Sequence, residues 1–575
     1  MMQPTPTDNT NLPINRGVFA TLPEALDYAA RGETGLNFYS ARGELTGVCT
    51  YADLRAQALQ FARRLAGLGL GQGDAVLLLA DTDTDFFVGF CGCAYLGALP
   101  VPAAIPVIFG EQAEYLEGLR RRLATARAAA ALAPAALTPL LREAAAGLSL
   151  KFCGSHAEFA TLPASPLPDA CSTPDSLAYL QFSSGSTRHP KGVEIPQHTL
   201  MNNARLICAS GLDRRAGDRC TSWLPMYHDM GLVGFFLTPL VCQLSIDFLT
   251  TRDFARRPST WLSLISRNRG TLSYSPTFGY ELCVRHAARA GLEGLDLSHW
   301  RAAGIGGDMV RPQVLRDFAA AFAPAGFREE AFVPSYGLAE ATLAVSFAEL
   351  DRGPAVVRLA RGGLDRGKVH YASETDPELT REFVGCGRVL PEHELALRDE
   401  DGGPVAAGRV GRVFVRGPSV MRGYAHDPQE TAEVLAADGW LDTGDLGFLH
   451  ADAELVITGR AKDLILLNGR NIWPQDIEWA VEALPSLRRG DAAAFSVDEG
   501  RGEQVVVLVQ CRGSEPEVRE ALRAEVVGVL KRYGLADPVV ELVAPGSLPQ
   551  TSSGKLSRAK AKQNFLAARA LASAP

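Results

Sequence analysis

The segment from Gln181 to Pro196, QFSSGSTRHPKGVEIP, gathers hydroxyl side chains, two glycines and a lysine in one short stretch. Gly185 and Gly192 permit backbone conformations in which N–H groups converge on an anion, and Lys191 adds a positive charge. The hydroxyl donors are Ser183, Ser184, Ser186 and Thr187. Because Pro190 precedes Lys191, the segment is not a Walker A loop, which requires glycine there. The residue types predict a phosphate-binding loop, and the alternative is a serine- and glycine-rich surface turn.

Five further clusters combine residue types that serve acid–base, metal or nucleotide chemistry. They are LPMYHDMG (Leu224–Gly231), GGDMV (Gly306–Val310), PSYGLAEAT (Pro334–Thr342), WLDTGD (Trp440–Asp445) and LPQTSSGKLSR (Leu548–Arg558). Taken singly, each has a structural explanation, such as a buried histidine, a turn aspartate or an exposed lysine. Their joint presence in one chain, after the phosphate-type loop, favours a functional explanation.

The composition narrows the class of protein. The 575 residues exceed what one core accommodates, and 47% apolar with 21% charged residues is typical of a globular protein. A net charge of −8 argues against non-specific nucleic-acid binding. The eleven cysteines include no C-x-x-C pair and the N-terminus lacks the apolar core of a signal peptide, so we expect a cytoplasmic protein. The apolar run Phe86–Gly110 contains three prolines, which predicts a buried helix and a buried extended segment rather than a membrane span.

The elements that must position these clusters alternate between helix and strand along most of the chain. Residues 51–69 have apolar positions at helical spacing, and the following DAVLLLA indicates a buried strand. The alanine-rich stretch 124–146 predicts a pair of helices. Such alternation implies an α/β fold with mostly parallel sheets. After about residue 385, short strands joined by glycine and aspartate turns indicate a β-rich piece, and helices return beyond a junction near 460–462.

The six motifs, in this order and spacing, closely resemble those of the adenylate-forming superfamily of acyl-CoA synthetases, luciferases and nonribosomal peptide adenylation domains. The resemblance runs from Thr50 to the loop around Lys555. It implies an α/β fold whose large N-terminal domain holds two α/β subdomains and a β-barrel-like subdomain, followed by a small, mobile α+β domain. We therefore expect a disordered segment 1–15, an adenylation domain 16–460 and a lid domain 461–575 that carries the catalytic lysine.

The chemistry implied by the resemblance is activation of a carboxylate by ATP. The carboxylate attacks the α-phosphorus, pyrophosphate leaves and an acyl-adenylate forms, which requires charge neutralisation and in-line positioning. By resemblance, Lys555, His228 and Glu340 are the catalytic residues, and Glu340 binds Mg²⁺ together with Thr187. The residues implied to hold ATP and AMP are Ser183, Ser184, Gly185, Ser186, Thr187, Lys191, Gly306, Gly307, Asp308, Ser335, Tyr336, Gly337, Leu338, Asp445 and Arg460.

Several stretches resemble the fatty acyl-AMP ligase branch of this superfamily. They are LPMYHDMGLVG, SPTFGYELC, YGLAE and RAKDLILLNGRNIWPQDIE, and residues 343–384 stand where that branch carries an insertion. The resemblance implies that a fatty acid is activated and its acyl group then passes to the phosphopantetheine thiol of an acyl carrier protein. That partner is expected in trans, as part of a polyketide or nonribosomal peptide synthase. Lys462 occupies the hinge position about which the lid would rotate. For the insertion, a tolerated surface-loop extension is the alternative.

Further alternatives stay open at this point. An acyl-CoA ligase of the same fold competes with the fatty acyl-AMP ligase, and a non-catalytic acyl- or nucleotide-binding module is a third hypothesis. The basic C-terminal sequence KLSRAKAKQNFLAAR is either a docking surface for an acidic carrier protein or a solvated helix. Leu232 and Phe278 are candidates for an apolar acyl pocket, with core packing as their alternative role.

Overall fold

A computed structural model describes residues 12–106, 112–168, 172–182, 191–373, 379–467, 469–498, 503–535, 537–551 and 554–572. The predicted phosphate-loop residues Ser183, Ser184, Gly185, Ser186 and Thr187 lie outside these ranges. Residues 1–11 of the segment expected to be disordered also lie outside them, whereas residues 12–15 contact the folded chain. The Tyr28 hydroxyl donates to the Pro13 carbonyl over 2.8 Å, and the Asn15 amide donates to Gln243 Oε1 over 2.9 Å. Residues 12–15 therefore have defined contacts, and the extent of a disordered N-terminal segment stays a prediction.

Helices and strands alternate over residues 22–347. The helices are α1 Leu22–Ala29, α2 Tyr51–Gly67, α3 Thr84–Leu96, α4 Gln112–Thr125, α5 Thr138–Ala144, α6 His156–Ala160, α7 Gln197–Leu206, α8 Asp229–Leu232, α9 Thr238–Val241, α10 Thr251–Arg256, α11 Ser259–Arg267, α12 Thr277–Ala290 and α13 Pro312–Phe322. The strands are β1 Gly35–Tyr39, β2 Leu45–Thr50, β3 Ala75–Leu79, β4 Leu99–Ala103, β5 Ala130–Ala133, β6 Phe152–Ser155, β7 Leu177–Phe182, β8 Gly192–Pro196, β9 Arg219–Ser222, β10 Ser245–Leu249, β11 Leu272–Ser275, β12 Ala302–Ile305, β13 Phe332–Gly337 and β14 Ala344–Phe347.

The rest of the chain begins with strands and ends with a mixed region. Up to residue 460 the elements are β15 Val356–Ala360, α14 Arg361–Leu364, β16 Thr380–Val384, β17 Arg388–Val389, β18 Glu394–Arg398, β19 Gly411–Arg416, β20 Gly423–Tyr424, α15 Pro428–Val434, β21 Leu441–His450 and β22 Glu454–Arg460. Beyond it they are β23 Ile465–Leu467, β24 Arg470–Ile472, α16 Pro474–Glu482, β25 Ala492–Asp498, β26 Glu503–Gln510, α17 Pro516–Arg532, β27 Val539–Val543 and α18 Arg558–Ala572.

The largest sheet has nine strands in the order β17-β14-β13-β12-β11-β9-β10-β1-β2. Its six central strands, from β13 to β1, run parallel, and the antiparallel pairs lie only toward its two edges. A second sheet, β4-β3-β5-β6, is parallel throughout. Strands buried on both faces by helices are expected to be continuously apolar, as AVLLL in β3 is. The predicted α/β fold with mostly parallel sheets is confirmed.

The predictions for the apolar run Phe86–Gly110 and for the alanine-rich stretch 124–146 had different outcomes. The described part of the first forms buried helix α3 and then buried strand β4, as predicted. The second does not form a helix pair, because β5 occupies its middle. Alanine favours helices, but β5 pairs with β3 on one side and β6 on the other and is fully buried. Burial between two strands overrides the small helix preference of alanine.

The β-rich character predicted after residue 385 is confirmed by the antiparallel sheet β18-β19-β21-β22. Strands β15 and β16 pair with each other and, with α14, pack against this sheet. Their apolar contacts join Leu359, Leu364 and Phe383 to Phe448 and Val456 of β21 and β22. The segment 343–384 thus includes a structured element between the large sheet and the residues after 460.

Residues after the short turn Ala461–Asp463 form two small apolar cores of their own. One gathers α16 and α17 on one face of the sheet β25-β26-β27, and the other packs α18 on the opposite face. The junction predicted near 460–462 coincides with this turn, while the domain boundaries stay a prediction. Within the described ranges, none of the helices has the length and apolar character needed to cross a membrane.

Candidate active site

A cavity of about 920 Å³ lies between the large sheet and the residues after 460. Its floor is formed where the parallel strands β11, β12 and β13 end, the edge at which α/β sheets bind ligands. The other wall comes from α16 and from the loop that precedes α18. The predicted residues that line it are Lys191, His228, Phe278, Gly306, Gly307, Asp308, Ser335, Tyr336, Gly337, Leu338, Glu340, Asp445, Arg460, Lys462 and Lys555. Residues more than 350 positions apart therefore share one cavity.

Two glycines at the end of β12 keep the floor of the cavity open. A β-carbon on Gly306 would lie 2.7 Å from the Ser335 carbonyl oxygen, so a side chain there would collide with the neighbouring strand. Gly307 has a φ of +75°, which favours glycine. The Nζ of Lys555 lies 3.9 Å from the position that a β-carbon on Gly307 would take. That separation is an ordinary contact distance, so Lys555 brings the far end of the chain up to the floor of the cavity.

Asp445 is a buried carboxylate of the site with two polar partners. Its Oδ2 accepts a hydrogen bond of 2.6 Å from the Tyr336 hydroxyl, and its Oδ1 lies 3.1 Å from Arg460 Nε. Burial raises the pKa of the Asp445 carboxyl above its ordinary value, against the opposing effects of Arg460, Tyr336 and Lys555. Since β13 supplies Tyr336 and β21 supplies Asp445, the pair also joins the large sheet to the antiparallel one.

At the opposite end of the site, His228 and Asp229 follow β9. The His228 Nδ1 lies 2.6 Å from Asp229 Oδ1, and the Met230 amide donates to the same oxygen over 2.8 Å. Burial alone would raise the pKa of the Asp229 carboxyl, but His228 and the ammonium of Lys555 hold it below its ordinary value. Asp229 was not among the predicted site residues, although it stands in the HDMG motif next to His228.

Lys191 and Glu340 are linked through Tyr424, which sequence reasoning also missed. The Tyr424 hydroxyl donates to Glu340 Oε1 over 3.0 Å, and the Lys191 ammonium lies 5.0 Å from the centre of the Tyr424 ring. Lys191 also pairs with Glu430 of α15. Tyr424 reaches this position because β20 pairs with β8, a long-range contact that no local motif signals.

Lys555 reaches the cavity from a tight loop. The Thr551 amide donates to the Lys555 carbonyl over 2.7 Å, and the Lys555 amide donates to Thr551 Oγ1 over 3.2 Å. Lys462 lies in the turn Ala461–Asp463 at the cavity rim, where burial and the nearby Arg460 charge lower its pKa. The loop and the turn belong to the same part of the chain, so a movement about the turn would displace Lys555.

The cavity also has an apolar wall. It is lined there by Ile207, Leu212, Phe235, Leu244, Leu272, Leu343 and Phe347, with Tyr274 at its edge. The Tyr274 hydroxyl forms a hydrogen bond of 3.2 Å with Ser335 Oγ. The polar end of Tyr274 therefore faces β13, the strand that also carries Tyr336. Phe278 lines the cavity and packs edge-on against Trp223, whereas Leu232 is fully buried in the core and is not a lining residue. Of the two predicted acyl-pocket residues, the structure places only Phe278 at the cavity.

The described residues include no cluster of three or more histidine, cysteine, aspartate or glutamate side chains suited to hold a metal by themselves. A magnesium ion that binds substrate phosphates needs only one or two protein carboxylates. Glu340 fits that requirement, because it lines the cavity and its orientation is set by the Tyr424 hydroxyl. Its predicted partner Thr187 lies outside the described residues.

Comparison with known proteins gives concordant results. The sequence pattern of the family described as AMP-binding enzyme matches residues 39–425. A provisionally named acyl-CoA synthetase of Caulobacter vibrioides is 49% identical over 568 residues, covering 99% of this chain and 98% of that protein. The medium-chain-fatty-acid–[acyl-carrier-protein] ligase of Moorena producens is 34% identical, with 95% of each chain covered. A structure from a study of fatty acyl-adenylate ligases of E. coli and L. pneumophila matches with a TM-score of 0.93 and 44% identity, over 97% of this chain and 100% of the other.

Proposed function

The chain belongs to the AMP-binding enzyme family of adenylate-forming proteins, and from that premise we propose that it uses ATP to convert a fatty acid into an acyl-adenylate. The observation that carries the proposal is the cavity itself. It unites a lysine from near the end of the chain, a hydrogen-bonded tyrosine–aspartate pair and an apolar wall within about 920 Å³. An adenylate-forming enzyme needs these three features together, since a charged nucleotide must meet an apolar acid.

In this proposal the nucleotide lies along the ends of β12 and β13. Tyr336 stacks on the adenine, with Gly306, Gly307 and Asp308 at its border, and Asp445 accepts hydrogen bonds from the ribose hydroxyls with Arg460 beside it. Ser335, Gly337 and Leu338 complete this wall. The phosphates are held by Lys191 and the loop residues Ser183, Ser184, Gly185, Ser186 and Thr187. Glu340 and Thr187 hold Mg²⁺, which neutralises phosphate charge when bound.

The reacting groups meet between His228 and Lys555. A bond forms between a carboxylate oxygen of the acid and the α-phosphorus, and the bond from that phosphorus to the bridging oxygen breaks, so that pyrophosphate leaves with the electron pair. The Lys555 ammonium offsets the negative charge shared between carboxylate and phosphate. Its electrostatic influence on both Asp229 and Asp445, which line the same cavity, supports a position near both carboxylates. His228 orients the carboxylate.

The substrate class follows from the apolar wall and from the relatives. Aliphatic and aromatic side chains around Phe235, Leu272 and Phe347 provide no charged partner for a polar acid and suit a hydrocarbon chain. The Moorena relative is named for medium-chain fatty acids and the similar structure for fatty acyl-adenylates. A fatty acid is therefore the proposed substrate.

The acceptor of the acyl group is proposed to be the phosphopantetheine thiol of an acyl carrier protein supplied in trans, by a polyketide or nonribosomal peptide synthase. The name of the Moorena relative supports it. Rotation of a lid domain, residues 461–575, about Lys462 against the domain 16–460 would withdraw Lys555 and admit the thiol. The insertion within 343–384 packs between the two parts. Transfer to coenzyme A is the second candidate, and the name of the Caulobacter relative favours it.

One experiment tests both steps. The purified protein is incubated with Mg²⁺, ATP and saturated fatty acids of increasing length, and pyrophosphate release and acyl-adenylate are measured. Coenzyme A or a phosphopantetheinylated carrier protein is then added. Adenylate that accumulates with coenzyme A but is consumed by the carrier protein supports the proposal. Rapid acyl-CoA formation rejects the carrier-protein step, and an absence of pyrophosphate release with every acid rejects the first step.

A further inference from the structure

The backbone at Thr342, two residues beyond Glu340, takes a conformation that residues other than glycine rarely adopt. Its φ is +67° and its ψ is −59°, and the Leu343 amide donates to the Ala341 carbonyl over 2.8 Å. These angles and this hydrogen bond define a γ-turn with a positive φ at its centre, which is a rare and strained form. Among the described residues with a positive φ, Thr342 is the only β-branched one, and β-branched residues adopt such angles least readily.

A neighbouring segment, residues 419–421, holds this turn in place. The Thr342 hydroxyl donates to the Ser419 carbonyl over 2.8 Å, and both residues are fully buried. The Met421 amide donates to the Glu340 carbonyl, also over 2.8 Å. A strained backbone persists only where its surroundings determine it, and these two hydrogen bonds are such surroundings.

The other side of the turn packs on β13. A β-carbon on Gly337 would overlap the carbonyl oxygen of Leu343, so the turn lies directly against the backbone of that strand. Glu340 and Leu343, on either side of Thr342, both line the cavity. The γ-turn therefore lets two residues three positions apart face one cavity, one with a carboxylate and the other with an apolar side chain.

Glu340 is thus held at both ends. Its carboxylate accepts the hydrogen bond of 3.0 Å from the Tyr424 hydroxyl, and its backbone is fixed by Met421 and by the turn. Thr342 is itself fully buried and directs its hydroxyl away from Glu340, toward the carbonyl of Ser419. Any influence of Thr342 on a ligand therefore passes through the backbone next to Glu340.

We propose that Thr342 is a positioning residue, whose hydroxyl holds the strained γ-turn and thereby keeps the Glu340 carboxylate where it binds the magnesium ion of Mg–ATP. The inference rests on the proposed function, which assigns the metal to Glu340. Groups behind a metal ligand orient it, and their loss weakens metal binding about tenfold or more. Without the hydroxyl, the turn is free to relax toward ordinary backbone angles and to move Glu340.

The test measures nucleotide binding by the full-length protein and requires no catalysis. The probe is the α,β-methylene analogue of ATP, which cannot release pyrophosphate, titrated calorimetrically once with Mg²⁺ and once with EDTA. The ratio of the two dissociation constants gives the gain in affinity that the metal provides. Thr342→Val keeps the size and branching of the side chain but removes its hydroxyl, and it should reduce this gain about tenfold. Its dissociation constant with EDTA should stay that of the wild type.

Three further variants make the comparison specific to the hydroxyl. Thr342→Ser keeps it and should restore the gain of the wild type. Thr342→Ala lacks both the hydroxyl and the branch, should show the loss of Thr342→Val, and replaces that variant if it does not fold. The control, Thr260→Val, removes another buried hydroxyl, which donates to the Ala41 carbonyl over 2.9 Å and belongs to α11. It should leave the gain unchanged.

The possible results separate a positioning role from a merely structural one. An equal gain in the wild type and in Thr342→Val would overturn the inference. A loss of affinity that is the same with Mg²⁺ and with EDTA would also overturn it, because it indicates a general disturbance, and so would the absence of any gain in the wild type. If the wild type shows the gain but releases no pyrophosphate from ATP with any fatty acid, the proposed function fails while the role of Thr342 stands.

Discussion

The two walls of the cavity that contains Tyr336 and Lys555 differ in how they are held. The wall formed by residues up to 460 rests on strands of two sheets, and its key pair, half-buried Tyr336 of β13 and buried Asp445 of β21, joins the large sheet to the antiparallel one. The wall formed after 460 meets the rest of the molecule largely through ion pairs. Arg311 lies 3.2 Å from Glu482, and Arg489 lies 2.8 Å from Glu281, so each part supplies one cation and one anion. Charged contacts lose less than apolar ones on exposure to water, which suits the proposed rotation of this wall away from the other.

The largest expected effect comes from removing Lys555, the group of the second wall that we propose to offset negative charge in the reaction. Lys555→Ala should lower the rate of acyl-adenylate formation by two to three orders of magnitude, about 3 kcal/mol of barrier, because a preorganised positive charge is lost. Pyrophosphate release under single-turnover conditions measures it. Lys531→Ala, an exposed lysine in α17 of the same part, is the control and should retain activity. An unchanged rate in Lys555→Ala would contradict the catalytic assignment.

The next effect concerns an ion pair between the walls and depends on pH. Glu482 faces Arg311 and Glu478, and the Gly490 amide donates to it over 2.7 Å; burial raises its pKa from 4.5 to about 7. A carboxyl whose pKa is raised on folding stabilises the fold below pH 4.5 and loses that contribution as the pH rises to about 7, in total about 3 kcal/mol. Over this window the free energy of unfolding of Glu482→Gln should therefore rise relative to the wild type. Urea titrations at several pH values measure it, and parallel curves would refute the assignment.

A change in the first wall should act on nucleotide affinity. Asp445→Asn keeps an acceptor for the Tyr336 hydroxyl but removes the charge facing Arg460, and it weakens the acceptor for the ribose. We expect ATP to bind about thirtyfold more weakly, since a hydrogen bond to a charged group contributes about 2 kcal/mol. The KM for ATP measures it, with the KM for the fatty acid as the internal control. An equal change in both constants would indicate a general disturbance of the wall instead.

The smallest effect is expected for the more exposed ion pair between the walls. Arg489→Gln removes the partner of Glu281, and the pair is partly screened by solvent, so stability should fall by only about 0.5 kcal/mol. The melting temperature measures it. A loss of stability as large as that caused by truncating an apolar core residue would show that this ion pair holds the walls together more tightly than its exposure suggests.

Much of the site was predictable because its residues stand in short motifs. His228, Glu340, Tyr336, Asp445 and Lys555 were named from residue types and order, and all five line one cavity. Asp229 could have been found in the same way, since it adjoins His228 and a buried carboxylate beside a histidine is a recognisable pairing. Tyr424 could not have been predicted from the sequence, because it belongs to no motif and approaches Glu340 only through the pairing of β20 with β8.

The fold likewise has features that the sequence predicts and features that it does not. Alternating apolar segments predicted a parallel α/β architecture, since the period of hydrophobic residues depends on local geometry alone. The prediction of a helix pair in the alanine-rich stretch was wrong because alanine occurs in both helices and strands. Only the pairing of β5 with a strand on each side made it a strand. Leu232 was proposed for the acyl pocket on its apolar character, yet core and pocket residues share that character and differ only in what lies beside them.

The sequence by itself therefore determined the class of fold, the family and the residues that we propose to bind a nucleotide, because these depend on residue type and spacing. The tertiary structure alone decided that Lys555 approaches Gly307 and which apolar side chains line the cavity. Such contacts arise from the packing of elements hundreds of residues apart, and no local pattern encodes the distance between them.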